Sequence, residues 1–214
     1  MEIKNSEIAR TFDEHEAEYS NTVNDALNFS GLDVDFFTKV KADYIGDLVK
    51  SHFGKTSDAQ MLDIGCGVGN FHPLLLSRFA RIDGVDISPS SIERAQSNNP
   101  GVNYQCYDGD RLPFDDDTFD VAITVCVMHH VPPASWPSFA REMHRVVRPG
   151  GLALVFEHNP VNPLAVHVVN NCPFDADAVL LRAPKTKALL SGAGFEDVVA
   201  RSIITIPPFN AFFR

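Results

Sequence analysis

No Cys-x-x-Cys pair, no His-Glu-x-x-His helix and no Cys/His zinc spacing occurs in this 214-residue chain. No metal ligand set is therefore visible, and no metal is expected. Cysteine is scarce, with Cys66, Cys106, Cys126 and Cys172 scattered singly, so a disulfide framework is not expected. Three of them fall in or beside apolar runs and read as small core hydrophobes in a reducing cytoplasm. No uninterrupted apolar stretch reaches the roughly 18 residues of a spanning helix. The opening residues, Met1 to Arg10, are polar and lack the apolar core of a signal peptide. Positive charge is also short, because 18 Lys+Arg against 28 Asp+Glu leave a net charge of −10. A protein that coats duplex nucleic acid carries a basic stripe, so no nucleic-acid partner is expected, although a small local RNA site stays open. What remains is ordinary for a soluble globule, with 44% hydrophobic and 21% charged residues. A chain of this length suits one domain burying roughly 70% of its unfolded surface.

From about Gln60 the chain alternates short apolar runs with helical patterns. The runs predict strands at Gln60–Ile64, Arg81–Asp86, Val102–Cys106, Thr118–Cys126, Leu152–Glu157 and Glu196–Ile206. Helices are predicted at Phe71–Phe79, from Ser88-Pro89 to Ser97, at Pro132–Val147 and at Lys185–Ser191. Strands alternating with helices imply a parallel sheet of right-handed βαβ units. The runs are apolar throughout, as expected for strands covered on both faces. Glu7 to His52 is helical in pattern and reads as an N-terminal cap over residues 1–55. Residues 56–157 read as the core, 158–184 as a connection with little regular structure, and 185–214 as a closing helix and strand.

The strongest local signal is Leu62-Asp63-Ile64-Gly65-Cys66-Gly67-Val68-Gly69-Asn70, after a strand and before a helix. Such glycines let backbone approach a ligand, and the next helix presents unpaired N–H groups to it. An acid follows at the end of the second strand, Asp86, where a carboxylate can accept from the vicinal hydroxyls of a ribose. Nicotinamide dinucleotides and S-adenosylmethionine share that much. The dinucleotide spacing would place the third glycine at Asn70, whereas here it is Gly69. Asp63, inside the strand, opposes a pyrophosphate and suits a cationic ligand.

At these residues the chain resembles the class I S-adenosylmethionine-dependent methyltransferases, over roughly residues 61–158. Four blocks agree in order and spacing: the glycine loop, Asp86, Asp108-Gly109 before Leu112-Pro113-Phe114, and Arg145-Val146-Val147-Arg148-Pro149-Gly150-Gly151. The chain is most similar to the small-molecule subgroup that includes the ubiquinone and menaquinone enzymes. The resemblance implies an α/β fold, a Rossmann-like doubly wound sheet with an N-terminal helical cap, and S-adenosylmethionine as cofactor. It also implies that Gly65, Cys66, Gly67 and Gly69 line the methionine and ribose, with Asp63 orienting the amino-acid end. Asp86 would hold the ribose, Asp108 and Gly109 the adenine edge, and Ile87 and Leu112 the adenine faces. Tyr19 matches an N-terminal tyrosine that many relatives place near the cofactor, although Ser20 follows it where they carry Asp.

The stretch Val125-Cys126-Val127-Met128-His129-His130-Val131 falls where the family brings the methyl group to its acceptor. The Asn/Asp-Pro-Pro-aromatic motif of many amino-methylating enzymes is absent there. His130, His129 and His158 instead offer imidazoles suited to removing a proton from a hydroxyl. Asn162, Asn171 and Asp175 could meet the acceptor. The expected reaction is methyl transfer to oxygen or carbon of a small-molecule acceptor. A non-catalytic cofactor-binding protein and an NAD-dependent oxidoreductase remain as alternatives. After the sixth strand only Pro207–Arg214 remains, too short for the hairpin and seventh strand of the family. The uncovered edge could be closed by a homodimer.

Overall fold

The computed structural model describes residues 33–203, together with Ile8 and Arg10. Tyr19 and Pro207–Arg214 lie outside the described residues. The elements are α1 (Val34–Phe53), β1 (Gln60–Ile64), α2 (His72–Leu75), β2 (Arg81–Asp86), α3 (Pro89–Asn98), β3 (Asn103–Cys106), β4 (Phe119–Val125), α4 (Trp136–Val146), β5 (Val147–Phe156), α5 (Pro163–Asn170), a 3-10 turn (Pro173–Asp175) and α6 (Ala183–Ala193). The five strands are parallel, in the order β3-β2-β1-β4-β5.

Alternation along each strand divides the core into two layers. Met61, Ile82, Val121, Ile123 and Leu154 face α1, α2 and α3, and pack on Ala42, Ile45, Val49, Leu75, Ile92 and Ala95. Leu62, Ile64, Val85, Phe119 and Ala122 face the other way, onto Phe139, Ala140, Met143, Leu189 and Leu190 of α4 and α6. Because β1 lies between β2 and β4, the crossovers leave it in opposite directions. That reversal opens a crevice at the carboxyl ends of β1 and β4, where α/β sheets bind ligands.

Capping fixes the helix that follows β2. Ser88 accepts the Ser91 N–H, and Pro89 fills the first turn where no donor is needed. Elsewhere the structure corrects the sequence reading. The Phe71–Phe79 helix is only four residues long, because the chain tightens after Leu75 into a turn closed by the Arg78 N–H on the Leu75 carbonyl. The connection expected to be irregular holds α5, started by Asn162, whose side chain accepts the Leu164 N–H, with Pro163 next. β5 begins at Val147 rather than Leu152, and Pro149-Gly150-Gly151 forms an irregularity within the strand. Residues 196–203 are not a strand. Their positions are mostly exposed, with Val199 at 69%, so no buried face is formed to hold a sixth strand.

Candidate active site

The loop from Gly65 to Asn70 joins β1 to α2 at the crevice. Its three glycines have different causes. A Cβ on Gly65 would strike the methyl groups of Val127. A Cβ on Gly69 would strike the Tyr104 hydroxyl and lie 2.7 Å from the Asn99 amide nitrogen. Only Gly67, at φ +52°, has nothing within 4 Å of that position, so it alone presents bare backbone to open space. Cys66 is buried and its side chain lies in the core against Gly84, while its N–H bonds the Val85 carbonyl. The sequence reading gave all four to the cofactor. Packing also constrains Gly65, Gly69 and the Cys66 side chain.

Beneath the loop runs a buried polar chain that the sequence reading missed. Asp63, 2% exposed, takes one oxygen to His72 Nε2 at 3.2 Å. His72 Nδ1 meets the Tyr104 hydroxyl, which also accepts from Asn99 Nδ2 at 3.1 Å, and that amide reaches the Gly69 carbonyl at 3.2 Å. Burial raises the Tyr104 pKa, so its hydroxyl stays protonated. The signal available was His72, one turn beyond the glycines and flanked by apolar residues. The second oxygen of Asp63, Oδ1, is buried and has no partner among the described residues. An unpartnered buried carboxylate oxygen is costly.

Asp86 accepts the Gly67 N–H at 2.8 Å through Oδ2 and the Ser88 N–H at 2.9 Å through Oδ1. Burial raises its pKa, partly offset by those two N–H groups. It therefore shapes the loop. Ile87 beside it is half-buried, whereas Leu112 is buried in the core with Phe114 and Phe119. Asp108 is exposed just after β3, and its Oδ1 folds a turn by accepting from the Asp110 and Arg111 N–H groups. Those bonds lower its pKa. Gly109 follows at φ +84°. Arg145 donates to the Leu112 and Phe114 carbonyls and to Glu142, which accepts the Leu112 N–H. That network explains why the Leu-Pro-Phe block and the Arg145 block occur together in sequence.

The three histidines converge at the ends of β4 and β5. His129, 1% exposed, places Nδ1 2.6 Å from Glu157 Oε2 and Nε2 3.3 Å from Asp175 Oδ1. Glu157 is itself anchored by the N–H groups of Val127 and Met128. Burial alone would lower the His129 pKa, but the bonds to Asp175 and Glu157 outweigh it and raise it to about 10. Without another cation present, His129 is thus already charged and is a poor proton acceptor. His130 also reaches Asp175 Oδ1, at 3.3 Å, and burial lowers its pKa. The His158 ring centroid lies 5.4 Å from that of His129. Asn162 and Asn171 are spent on the ends of α5.

Cys126 follows β4 at φ +59°, an uncommon backbone for a residue with a side chain. Its sulfur lies 3.6 Å from Lys41 Nζ of α1. Burial opposes ionisation, yet Lys41 and His158 bring its pKa down to about 6. It is therefore a polar member of the site rather than a core hydrophobe. Lys41, His129, His130, His158 and Asp175 line one continuous cavity with Cys126.

Comparison with known proteins agrees with this geometry. Residues 62–155 match the family model of a methyltransferase domain. An uncharacterised methyltransferase of Synechocystis is 36% identical over 113 residues, covering 50% of this chain and 53% of the relative. The 2-methyl-6-phytyl-1,4-hydroquinone methyltransferase of Synechocystis is 34% identical, over 46% of this chain and 32% of its own length. The chain thus spans about half or less of the curated relatives it matches. An S-adenosylmethionine-dependent methyltransferase structure from Thermotoga maritima superposes with a TM-score of 0.64, covering 89% of this chain and 82% of that one at 21% identity. Sheet order, loop position, motif order and the matched domain agree, and residues 62–155 form a methyltransferase domain on the fold of the class I S-adenosylmethionine-dependent methyltransferases.

Proposed function

We propose that the protein transfers the methyl group of S-adenosylmethionine to oxygen or carbon of a small-molecule acceptor. The observation that carries the cofactor assignment is the unpartnered buried oxygen of Asp63, on the strand that leads into the open backbone of Gly67. A carboxylate there suits a cationic amino-acid end and repels a pyrophosphate, which disfavours NAD. Asp86 would accept from the ribose hydroxyls with its remaining lone pairs, while Asp108 and Gly109 would meet the adenine edge. Bound, the cofactor supplies a methyl group already activated on a sulfonium.

The protein's own task is then to hold an acceptor in line and away from water. Lys41 on α1 reaches the end of β4, so the helical cap forms one wall of the acceptor side. His129 is held by two carboxylates, which leaves His130 as the imidazole to take a proton. Asp175 orients His130, as a carboxylate orients the imidazole of a catalytic pair. Four free thiols suit a reducing compartment such as the cytoplasm.

Isothermal titration of folded Asp86→Ala with S-adenosylmethionine tests the assignment. Losing charge-assisted bonds to the ribose costs about 1.5–3 kcal/mol, or roughly tenfold to a hundredfold in affinity. Unchanged affinity would confine Asp86 to shaping the turn.

A further inference from the structure

We propose that His129, His158 and Asp175 form a binding site for one divalent transition-metal ion of the zinc or iron(II) type. The three residues come from different segments: the loop after β4, the residue beyond Glu157 after β5, and the 3-10 turn. One ligand atom from each lies within 4.8 Å of the other two. Donors bound at about 2.0–2.1 Å in a tetrahedral shell stand roughly 3.3–3.4 Å apart. His129 Nε2 and Asp175 Oδ1 are separated by 3.3 Å, which is that edge.

The surroundings are those of a metal centre. His129 holds its other nitrogen against Glu157 at 2.6 Å, and Glu157 is fixed by two backbone N–H groups. A carboxylate behind a ligating imidazole sets the ring's orientation and tautomer. Glu157 and Asp175 set two carboxylates against buried imidazoles, so a cation is favoured there. Two imidazoles and one carboxylate select zinc or iron(II) over magnesium or calcium, which prefer all-oxygen shells. Three protein ligands leave a coordination position open to the cavity. If the methyl-transfer reading holds, on which this last point rests, that position takes the acceptor's oxygen and His130 remains to receive its proton. The absence of a sequence motif is no obstacle, because ligands drawn from three separated segments leave no fixed spacing.

The test uses the full chain, stripped with a chelator and titrated with Co²⁺, a spectroscopic substitute for zinc. The expected result is one Co²⁺ per chain with the visible absorption of four- or five-coordinate cobalt, displaced by Zn²⁺ and not by Mg²⁺. Asp175→Asn and His158→Gln should each weaken uptake at least a hundredfold, and Glu157→Gln about 10–100-fold. Circular dichroism establishes that each variant is folded. No stoichiometric uptake, or uptake unchanged in both ligand variants, would overturn the site. S-adenosylmethionine titration of the same samples separates the two proposals. Cofactor binding without cobalt uptake overturns the metal site alone, and cobalt uptake without cofactor binding overturns the methyl-transfer reading alone.

Discussion

Gly67→Ala and Gly69→Ala should fail in different ways, although the residues are two apart in one loop. Both have left-handed backbone, at φ +52° and +75°, so each alanine costs about 1–2 kcal/mol in conformation alone. For Gly67 that is the whole stability cost, because its Cβ would enter open space. For Gly69 the Cβ would also press on the Tyr104 hydroxyl and the Asn99 amide, groups already joined in the buried chain to His72 and Asp63. Overpacking adds about 1–3 kcal/mol, giving about 2–5 kcal/mol in total. Tyr104→Phe removes the atom that obstructs. In that background the added cost of Gly69→Ala should fall by about 1 kcal/mol or more, a coupling expected of touching residues. Urea unfolding of the four proteins gives the cycle, and titration with S-adenosylmethionine gives affinities for the two glycine variants. Gly67→Ala should lose cofactor affinity at least tenfold while staying the more stable of the two. Equal stability losses with no coupling to Tyr104, or cofactor affinity untouched in Gly67→Ala, would refute this division of roles.

Other substitutions probe other parts of the site. Asp63→Asn should weaken cofactor binding by about 1.5–3 kcal/mol, because the charge facing the amino end is lost; titration of the folded variant measures it. His130→Ala should lower turnover about 10²–10⁴-fold once an acceptor is found, with cofactor affinity nearly unchanged. Glu142→Gln should destabilise the fold by about 1–2 kcal/mol, since Glu142 bonds Arg145 and the Leu112 N–H. Arg145 lowers the Glu142 pKa. The glutamate's advantage is therefore full above its unfolded pKa of about 4.3 and is lost as pH falls through the folded value. Denaturation of the pair at neutral pH and at acid pH shows whether the gap closes.

The parts legible in sequence were those set by local pattern. β1 and β2 have the bounds expected, because apolar runs between turn residues encode strands directly. Ser88-Pro89 announced α3 by its capping chemistry. The glycine loop announced the crevice. What could not be read depends on distant packing. Nothing near Gly69 reveals that Tyr104 and Asn99 occupy its side-chain position, and nothing near His129 reveals Glu157 and Asp175 on either side of it. The Asn, Pro and Asp residues around it concealed α5, although its own residues are mostly apolar, Val169 is buried, and Asn162 and Pro163 start it. Conversely, the β-branched run after Glu196 suggested a strand that its exposure does not support.

The central claim is that this crevice takes S-adenosylmethionine through Asp63, Gly67 and Asp86. Isothermal titration of the purified chain with S-adenosylmethionine, its demethylated product and NAD tests it most directly. One equivalent of either adenosyl compound should bind and raise the melting temperature, with saturating ligand contributing about 2–4 kcal/mol of stability, while NAD gives no heat. Stoichiometric NAD binding with no response to S-adenosylmethionine would contradict the account.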